Sequence, residues 1–312
     1  MKFVETKEHN MKKLNYFLLI GITFLSFTCL NAQNLKPYIM GVKSGENMDH
    51  LKTSLKTNLQ SEGLEVIGEY APAGNTNRWV MVISSDELIQ AVKSVGGLTG
   101  FAATLRVGLT KKDSNIIVSY TNPVYWGNAY YRSDYGGVEQ QYNGITAKLE
   151  SAMKKTGQFI GKDFGSEDGV KLDDLRKYHY MFGMPRFDDP VELNEFSSYS
   201  EAVSKIDANI RAGVENVKLV YELEVPGKNI KLYGFALSGE DGEASFLPTI
   251  DIGSPKHTAF LPYEMLVLDD KALMLHGRYR IALSFPDLSM GTFTKIMSTP
   301  GNIKDLLESV TE

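Results

Sequence analysis

Residues 99 to 123 read TGFAATLRVGLTKKDSNIIVSYTNP, and this stretch predicts the fold of the chain. Residues 102–110 and 115–121 contain the β-branched residues that strands favour, and the four polar residues between them form a short connection. Two such runs joined by a short polar segment predict an antiparallel hairpin. The segments on either side of this hairpin then decide how the sheet is completed.

The chain before the hairpin predicts helices alternating with strands. Met48, Leu51, Leu55 and Leu59 recur at helical spacing, so they predict an amphipathic helix that ends at Gly63. Further helices are predicted at 86–95 and 138–158, and further strands at 37–43, 64–71 and 78–84. The first unit therefore has the order β-α-β-β-α-β-β-α.

The second half of the chain repeats this theme. Residues 258 to 286 read TAFLPYEMLVLDDKALMLHGRYRIALSFP and, like 99–123, combine Thr-small-Phe, a strand, a polar interruption, a second strand and a proline. A constant offset between similar segments indicates two copies of one structural unit. The remaining predictions are a strand at 177–184, a helix at 198–213, a hairpin at 217–238 and a loop at 245–256.

These patterns predict an α+β fold of two tandem domains, each an antiparallel sheet with helices packed on one face. The first domain covers residues 33–160, and the glycine- and acid-rich segment 161–176 is a linker. Residues 177–312 form the second domain, a divergent repeat of the first. The length of 312 residues suits two domains of ordinary size.

The strand end Ile117-Val118-Ser119-Tyr120-Thr121-Asn122-Pro123 resembles the v-s-Y-x-x-P motif of an uncharacterised bacterial family, domain of unknown function 302. The resemblance covers residues 48–150 and, more weakly, 199–312, where Ile281 to Pro286 is the matching segment although Phe285 stands directly before the proline. It implies a small α+β sandwich with helices on one face of an antiparallel sheet. It implies no activity and no catalytic residues, since the family has none assigned.

The N-terminal segment predicts export from the cell. From Met11 the chain has two lysines, an apolar run from Tyr16 to Leu25 and a small residue at Ala32, which is the layout of a secretory signal. We therefore predict that residues 1–32 are a signal peptide, with 1–10 as an upstream extension and cleavage after Ala32. The apolar run is short for a membrane span, which needs about 20 apolar residues, and no later segment approaches that length. The predicted location is the bacterial periplasm, the cell surface or the medium.

Cys29 leaves open an alternative, lipoprotein processing, although Ser26-Phe27-Thr28 matches the preferred pattern poorly. Cleavage after Ala32 instead removes this cysteine, the only one in the sequence, so the mature protein has no disulfide and no thiolate nucleophile. The mature chain carries about seven more acidic than basic residues, and this balance argues against nucleic acid as a partner.

Sequence motifs with catalytic precedents fail on spacing. The motifs Ser151-Ala-Met-Lys154 and Lys155-Thr-Gly157 resemble those of penicillin-binding enzymes, but they overlap on one predicted helix and cannot face each other across a site. The histidines of the mature chain are isolated, at positions 50, 179, 257 and 276. Adjacent carboxylates lie in predicted loops, at 173–174, 188–189 and 269–270. We therefore predict no catalytic residue, no metal site and no cofactor.

Residues 122 to 143 read NPVYWGNAYYRSDYGGVEQQYN and concentrate aromatic side chains between a strand end and a helix. The glycines interrupt any regular strand, so we predict a loop. Two interpretations stay open. The aromatics cover the end of the sheet against the second domain, or they form a recognition surface for a sugar, an apolar ligand or a partner protein. The residues that carry the second interpretation are Tyr125, Trp126, Tyr130, Tyr131 and Arg132.

The sequence therefore favours a non-catalytic binding or structural module that uses this aromatic loop. The expected partner is a glycan, a lipid or an envelope protein. The alternative is a hydrolase that acts on an envelope substrate with carboxylates at the domain interface. Convergent carboxylates with perturbed pKa values would favour the enzyme, and a dry aromatic groove would favour binding.

Overall fold

The computed structural model of the protein describes residues 34–312, and two antiparallel sheets with helices packed alongside give these residues an α+β fold. The strands of the six-stranded sheet are β1 (Tyr38–Ser44), β2 (Glu65–Tyr70), β3 (Arg78–Ser84), β4 (Leu105–Lys112), β5 (Asn115–Thr121) and β6 (Phe159–Phe164). The strands of the five-stranded sheet are β7 (Val191–Glu195), β8 (Val217–Glu224), β9 (Ile230–Leu237), β10 (Tyr263–Leu268) and β11 (Lys271–Met274). The predicted hairpin of 99–123 is β4 and β5, paired antiparallel.

The α-helices of the described residues fall into two sets, one in each half of the chain. Those of the first half are α1 (Met48–Ser61), α2 (Asp86–Val95), α3 (Pro123–Tyr131) and α4 (Glu139–Thr156), followed by the short α5 (Leu172–Leu175). Those of the second half are α6 (Tyr199–Ala212), α7 (Glu243–Ile250), α8 (Gly277–Ser284), α9 (Met290–Lys295) and α10 (Thr299–Glu308). Asn47, Ser85 and Ser198 cap the N-termini of α1, α2 and α6 with side-chain oxygens that accept backbone N–H bonds.

Both sheets have the same strand order. The first runs β2-β3-β4-β5-β1-β6 and the second β8-β9-β10-β11-β7, so each strand of the second sheet has a counterpart in the first and only β6 is extra. The helices follow the same scheme, because α1 and α6 follow the first strand of each half and α3 and α8 follow the hairpin. The two halves thus share one topology.

The halves meet through reciprocal contacts. Tyr125, the third residue of α3, donates its hydroxyl hydrogen to the carbonyl oxygen of Leu283 at 2.8 Å. Tyr279, the third residue of α8, is 3.5 Å from the carbonyl oxygen of Ala129. Ala129 and Leu283 are each the seventh residue of their helix. Such an exchange of equivalent positions is the pattern of an interface with twofold symmetry.

A buried ion pair lies in the same interface. Arg106 and Glu264, the second residues of β4 and β10, are 1% and 5% exposed and pair through their side chains. The hydroxyls of Thr104 and Tyr221 also donate to Glu264. Burial of two charges is tolerated only when each keeps its partners, so this cluster couples the two sheets.

Two predicted strands are corrected by the structure. Residues 177–184 are irregular and do not join a sheet. The hydroxyls of Tyr178 and Tyr180 instead donate to the carbonyl oxygens of Ala282 and Leu288. The strand of this region is β7. Residues 281–284, which matched the family motif as a strand end, belong to α8. Every residue from Tyr279 to Ser284 is buried, and full burial hides the difference between a strand pattern and a helix pattern.

Two connecting segments contain more regular structure than predicted. The predicted loop 245–256 includes most of α7, whose Phe246, Leu247 and Ile250 face the core despite Pro248 within the helix. The predicted linker 161–176 holds the end of β6 and the whole of α5.

The predicted signal peptide, its upstream extension and Cys29 lie outside the described residues. Within residues 34–312, no helix combines the length and the apolar character that crossing a membrane requires.

Candidate functional site

The aromatic stretch 122–143 is helical, which corrects the predicted loop. Pro123 is the first residue of α3, and the side chain of Asn122 caps the helix by accepting the N–H of Val124. An Asn-Pro pair of this kind indicates the start of a helix, whereas Gly127 suggested a loop. A Cβ at Gly127 would lie 2.7 Å from the ring of Tyr135. Gly127 is therefore required by close packing and does not mark a turn.

Tyr125 and Trp126 are interior residues, 0% and 2% exposed. The indole N–H of Trp126 donates to the carbonyl oxygen of Pro37 at 2.9 Å, and the guanidinium of Arg280 lies 4.9 Å from the indole centroid. The Trp126–Arg280 contact and the Tyr125–Leu283 hydrogen bond join the two halves, whereas the bond to Pro37 lies within the first half. Neither ring lines either of the two clefts described below.

Tyr130, Tyr131 and Arg132 do line a cleft, of about 750 Å³, which we name the Arg132 cleft. Its other walls come from the end of α2 and from residues 173–188. The ring of Phe187 stacks on Tyr130 at a centroid distance of 5.1 Å, and burial raises the pKa of Tyr130 to about 12. The cleft thus brings together three of the five residues that the sequence selected.

Arg132 is held in a fixed position at the end of α3. Its backbone φ is 55°, a value that a non-glycine residue adopts only when surrounding contacts enforce it. Its Nε donates to the carbonyl oxygen of Arg176 at 3.2 Å, and its guanidinium lies 2.6 Å from the carboxylate of Asp188. The hydrogen bond from Arg132 keeps the pKa of Asp188 below its usual value.

A second cleft, of about 550 Å³, is formed where the two halves meet, and we name it the His257 cleft. Its walls are β6, the segment that follows α7 and the segment that follows α8. Sequence reasoning missed it, because its walls are distant in the chain and no local pattern links them. Its apolar wall residues are Met40, Phe164, Ile250, Ile252, Pro255, Phe285 and Leu288.

His257 is packed between aromatic rings in the wall of this cleft. Its ring lies 4.8 Å from the ring of Tyr38 and stacks on Phe285 at 4.5 Å. Burial lowers its pKa to about 4, so the imidazole is neutral at pH 7. Its Nδ1 is buried and has no hydrogen-bond partner among the described residues.

Two carboxylates of the His257 cleft already have partners within the protein. Asp251 pairs with Arg78 at 2.6 Å and accepts the backbone N–H of His257 at 3.0 Å. Asp287 accepts the hydroxyl of Ser166 at 2.7 Å and the N–H of Glu167 at 2.6 Å.

Two charged side chains of β6 remain available at the rim of this cleft. Asp163 and Lys162 make no side-chain hydrogen bond or ion pair in the described part of the chain. The pKa of Asp163 is raised, because its burial outweighs the opposing charge of Lys36. A ligand in the cleft could therefore meet one free carboxyl and one free ammonium group.

The motifs set aside at the level of sequence remain separate in space. Ser151 and Lys154 lie on α4, where Ser151 donates to Glu62 at 2.8 Å and Lys154 pairs with Glu150 at 3.2 Å. Within residues 34–312, no three side chains of His, Cys, Asp or Glu converge to hold a metal ion.

The second carboxyl with a raised pKa lies away from both clefts. Glu243 is 1% exposed, and burial raises its pKa to about 7. It accepts hydrogen bonds from the Tyr70 hydroxyl and from the N–H groups of Ala73 and Leu237. Asp163 and Glu243 therefore do not converge in one pocket.

The whole chain matches no protein-family model and no curated protein sequence. One solved structure similar to part of the chain is an uncharacterized conserved protein, DUF302, from Bacillus stearothermophilus. It is 10% identical, with a TM-score of 0.33, and the match covers 38% of this chain and 97% of that chain. A similarity of this size is a hint of a related fold and carries no argument about function.

Proposed function

We propose that this protein is an exported, non-catalytic binding protein that holds a small amphipathic molecule in the His257 cleft. The observation that carries the proposal is the cleft itself. Its volume of about 550 Å³ lies in the range of small-molecule sites, and its apolar wall is combined with a few polar groups, as such sites require. The aromatic rings of Phe164 and Phe285 supply the apolar contact, and the β6 side chains at the rim supply orientation.

The state of the ionisable groups favours binding over catalysis. A histidine with a pKa of about 4 is a weak base at neutral pH. Asp251 and Asp287 are occupied by internal partners, so their lone pairs already accept hydrogen bonds. Asp251 and Asp287 are thus engaged by the protein itself and shape the cleft.

The alternative function is a hydrolase that acts on an envelope substrate. One observation favours it: Asp163, whose pKa is raised, lines the same cleft as Asp287. Under this alternative, Asp163→Asn abolishes turnover of an envelope glycan or ester, whereas under the binding proposal no turnover exists to be lost.

The remaining parts of the proposal concern origin and location. Export rests on the signal pattern of residues 11–32, and the glycan, lipid or envelope-protein partners follow from that location. The shared strand order and the reciprocal tyrosine bonds support a duplicated unit, which we relate to the family of domain of unknown function 302. The mass of the protein purified from its own host tests export: a start at Gln33 supports signal cleavage, and a lipid-modified start at Cys29 supports anchoring.

The binding proposal is tested by filling the cleft. Ser254 is exposed on its rim, so Ser254→Trp should place an indole where the ligand lies. Ser114→Trp is the matched control, since Ser114 is exposed in the β4–β5 turn and lines neither of the two clefts. The assay is a thermal-shift screen of envelope glycans, lipids and small amphiphiles, since a ligand that binds the native state raises the melting temperature of the protein. Compounds that raise the melting temperature of the wild type and of the control should have no effect on Ser254→Trp. Equal shifts in all three proteins would place the ligand elsewhere.

A further inference from the structure

We propose that the Arg132 cleft is a second binding site, specific for small aromatic carboxylates, and that Phe187 and Asp188 of the segment 177–190 make the contacts of such a ligand in the present structure. We name residues 177–190 the strap. This inference concerns a different cleft from the one proposed above and does not depend on it.

The strap is held to the body of the protein on both sides of its exposed tip. The hydroxyl of Tyr178 donates to Ala282 at 2.9 Å and that of Tyr180 donates to Leu288 at 2.5 Å. Phe187, beyond the tip, is 5% exposed. Between these anchors Phe182 is 99% exposed, so the tip itself makes little contact with the body of the protein. In this proposal the strap lifts at Phe187, which breaks the contacts of that ring with Tyr130 and Tyr279 and leaves the strand pairing intact, since the strap contains no strand.

The strap presents a ring and a carboxylate to the cleft. The ring of Phe187 stacks on Tyr130 with an interplanar angle of 21°, and the carboxylate of the adjacent Asp188 pairs with Arg132. A flat aromatic face beside a guanidinium is complementary to a molecule that carries the same two groups. The strap thus shows which chemistry the cleft accepts.

Two cations outside the strap, Arg132 and Arg176, prepare the cleft for an anion. The Nε of Arg132 is oriented by the carbonyl oxygen of Arg176, and the Nε of Arg176 is oriented by the side chain of Asn128 at 2.9 Å. Lys177 adds a third cation to the lining, against the carboxylates of Asp134, Asp173 and Asp188. Neutralising or displacing Asp188 leaves the lining with an excess of positive charge.

The internal ion pair is exchangeable. The side chains of Arg132 and Asp188 are 28% and 53% exposed, and pairs with such exposure are screened by water and contribute little to stability. A volume of about 750 Å³ remains in the cleft beside the strap, which is ample for a benzoate-sized molecule. A free carboxylate can therefore compete with Asp188 for the guanidinium.

The test uses benzoate as the probe, benzamide as its uncharged counterpart and calorimetry on the full mature chain. We expect benzoate to bind the wild type and benzamide not to bind. Asp188→Asn should bind benzoate about two- to fivefold more tightly, the gain that removal of a half-exposed ion pair supports. Arg132→Gln should abolish binding. Asp189→Asn is the matched control, because Asp189 accepts the N–H of Arg186 and does not pair with Arg132; it should behave as the wild type.

A second measurement needs no variant. Trypsin cleaves after Lys177 and Arg186 in the strap, so benzoate but not benzamide should accelerate cleavage there by displacing Asp188 and Phe187. The proposal is overturned if benzoate binds neither the wild type nor Asp188→Asn, if binding survives Arg132→Gln, or if benzamide binds equally. Ser254→Trp should leave benzoate affinity unchanged, which separates this site from the His257 cleft.

Discussion

Glu243 shows how a single buried side chain makes stability depend on pH. The carboxyl accepts hydrogen bonds from Tyr70 of the first half and from Leu237 of the second. Burial raises its pKa from 4.5 to about 7, so the folded protein keeps a proton that the unfolded chain has lost. The stabilising contribution of this group is complete below about pH 4.5 and is lost as the pH rises through 7.

We predict that Glu243→Gln flattens this dependence. The loss of unfolding free energy between pH 5 and 8 should shrink by about 2 kcal/mol, since the amide cannot ionise. His257, with a lowered pKa of about 4, acts in the opposite sense between pH 4 and 6.5, so the measured quantity is the difference between variant and wild type in urea titrations. Glu240→Gln, which alters an exposed carboxyl, should give no difference. An unchanged slope for Glu243→Gln would contradict the raised pKa.

Arg106 and Glu264 lead to a second prediction at this scale. Arg106→Met alone should reduce the unfolding free energy by about 3–5 kcal/mol, because it leaves the buried carboxylate of Glu264 without its cation. The double variant Arg106→Met, Glu264→Met should lose much less, since both charges are gone. Denaturant unfolding of the four proteins of this cycle measures the coupling. Equal losses in the single and double variants would mean that the pair does not join the sheets.

At the scale of elements, the packing of α3 depends on the close approach of two tyrosine rings to the backbone at Gly127. A Cβ on Gly127 would lie 2.7 Å from the ring of Tyr135 and 2.8 Å from that of Tyr142. Gly127→Ala should therefore destabilise the protein by about 1–3 kcal/mol through overpacking, although alanine is the better helix former. Gly144→Ala in α4 is the control: no atom lies within 4 Å of its Cβ position, so it should stabilise by about 0.5–1 kcal/mol. Thermal unfolding of both variants decides, and a stabilised Gly127→Ala would show that the ring cluster is loosely packed.

The difference between helices with one buried face and helices buried on all sides explains which elements the sequence predicted correctly. Helices with one apolar face, such as α1 with Leu51, Leu55 and Leu59 buried, were found close to their observed bounds. The helices α3 and α8 were not, because nearly all of their residues are buried and neither helix shows an amphipathic period. Residues 177–184 were misread as a strand, since the alternation of Tyr178 and Tyr180 arises from anchoring onto the body of the protein.

At the scale of the whole molecule, the two halves approach each other closely at glycines. A Cβ on Gly100 would lie 2.6 Å from Leu266, and one on Gly108 would lie 2.8 Å from the backbone nitrogen of Ala259. The larger apolar cluster accordingly includes Ile230, Leu266 and Leu283 of the second half with residues of the first. Both clefts follow from this arrangement, because each has walls from segments that only the packed halves bring together.

Local patterns along the chain were sufficient for the α+β class, the hairpin of β4 and β5 and most amphipathic helices, because each of these depends on neighbours a few residues apart. The sequence also singled out Tyr130, Tyr131 and Arg132 as candidate site residues, because the stretch 122–143 is unusually rich in aromatic side chains. The interior position of Tyr125 and Trp126 and the existence of the His257 cleft were not. They depend on contacts between residues 89 to 158 positions apart, and no periodicity in a sequence encodes which surfaces will meet.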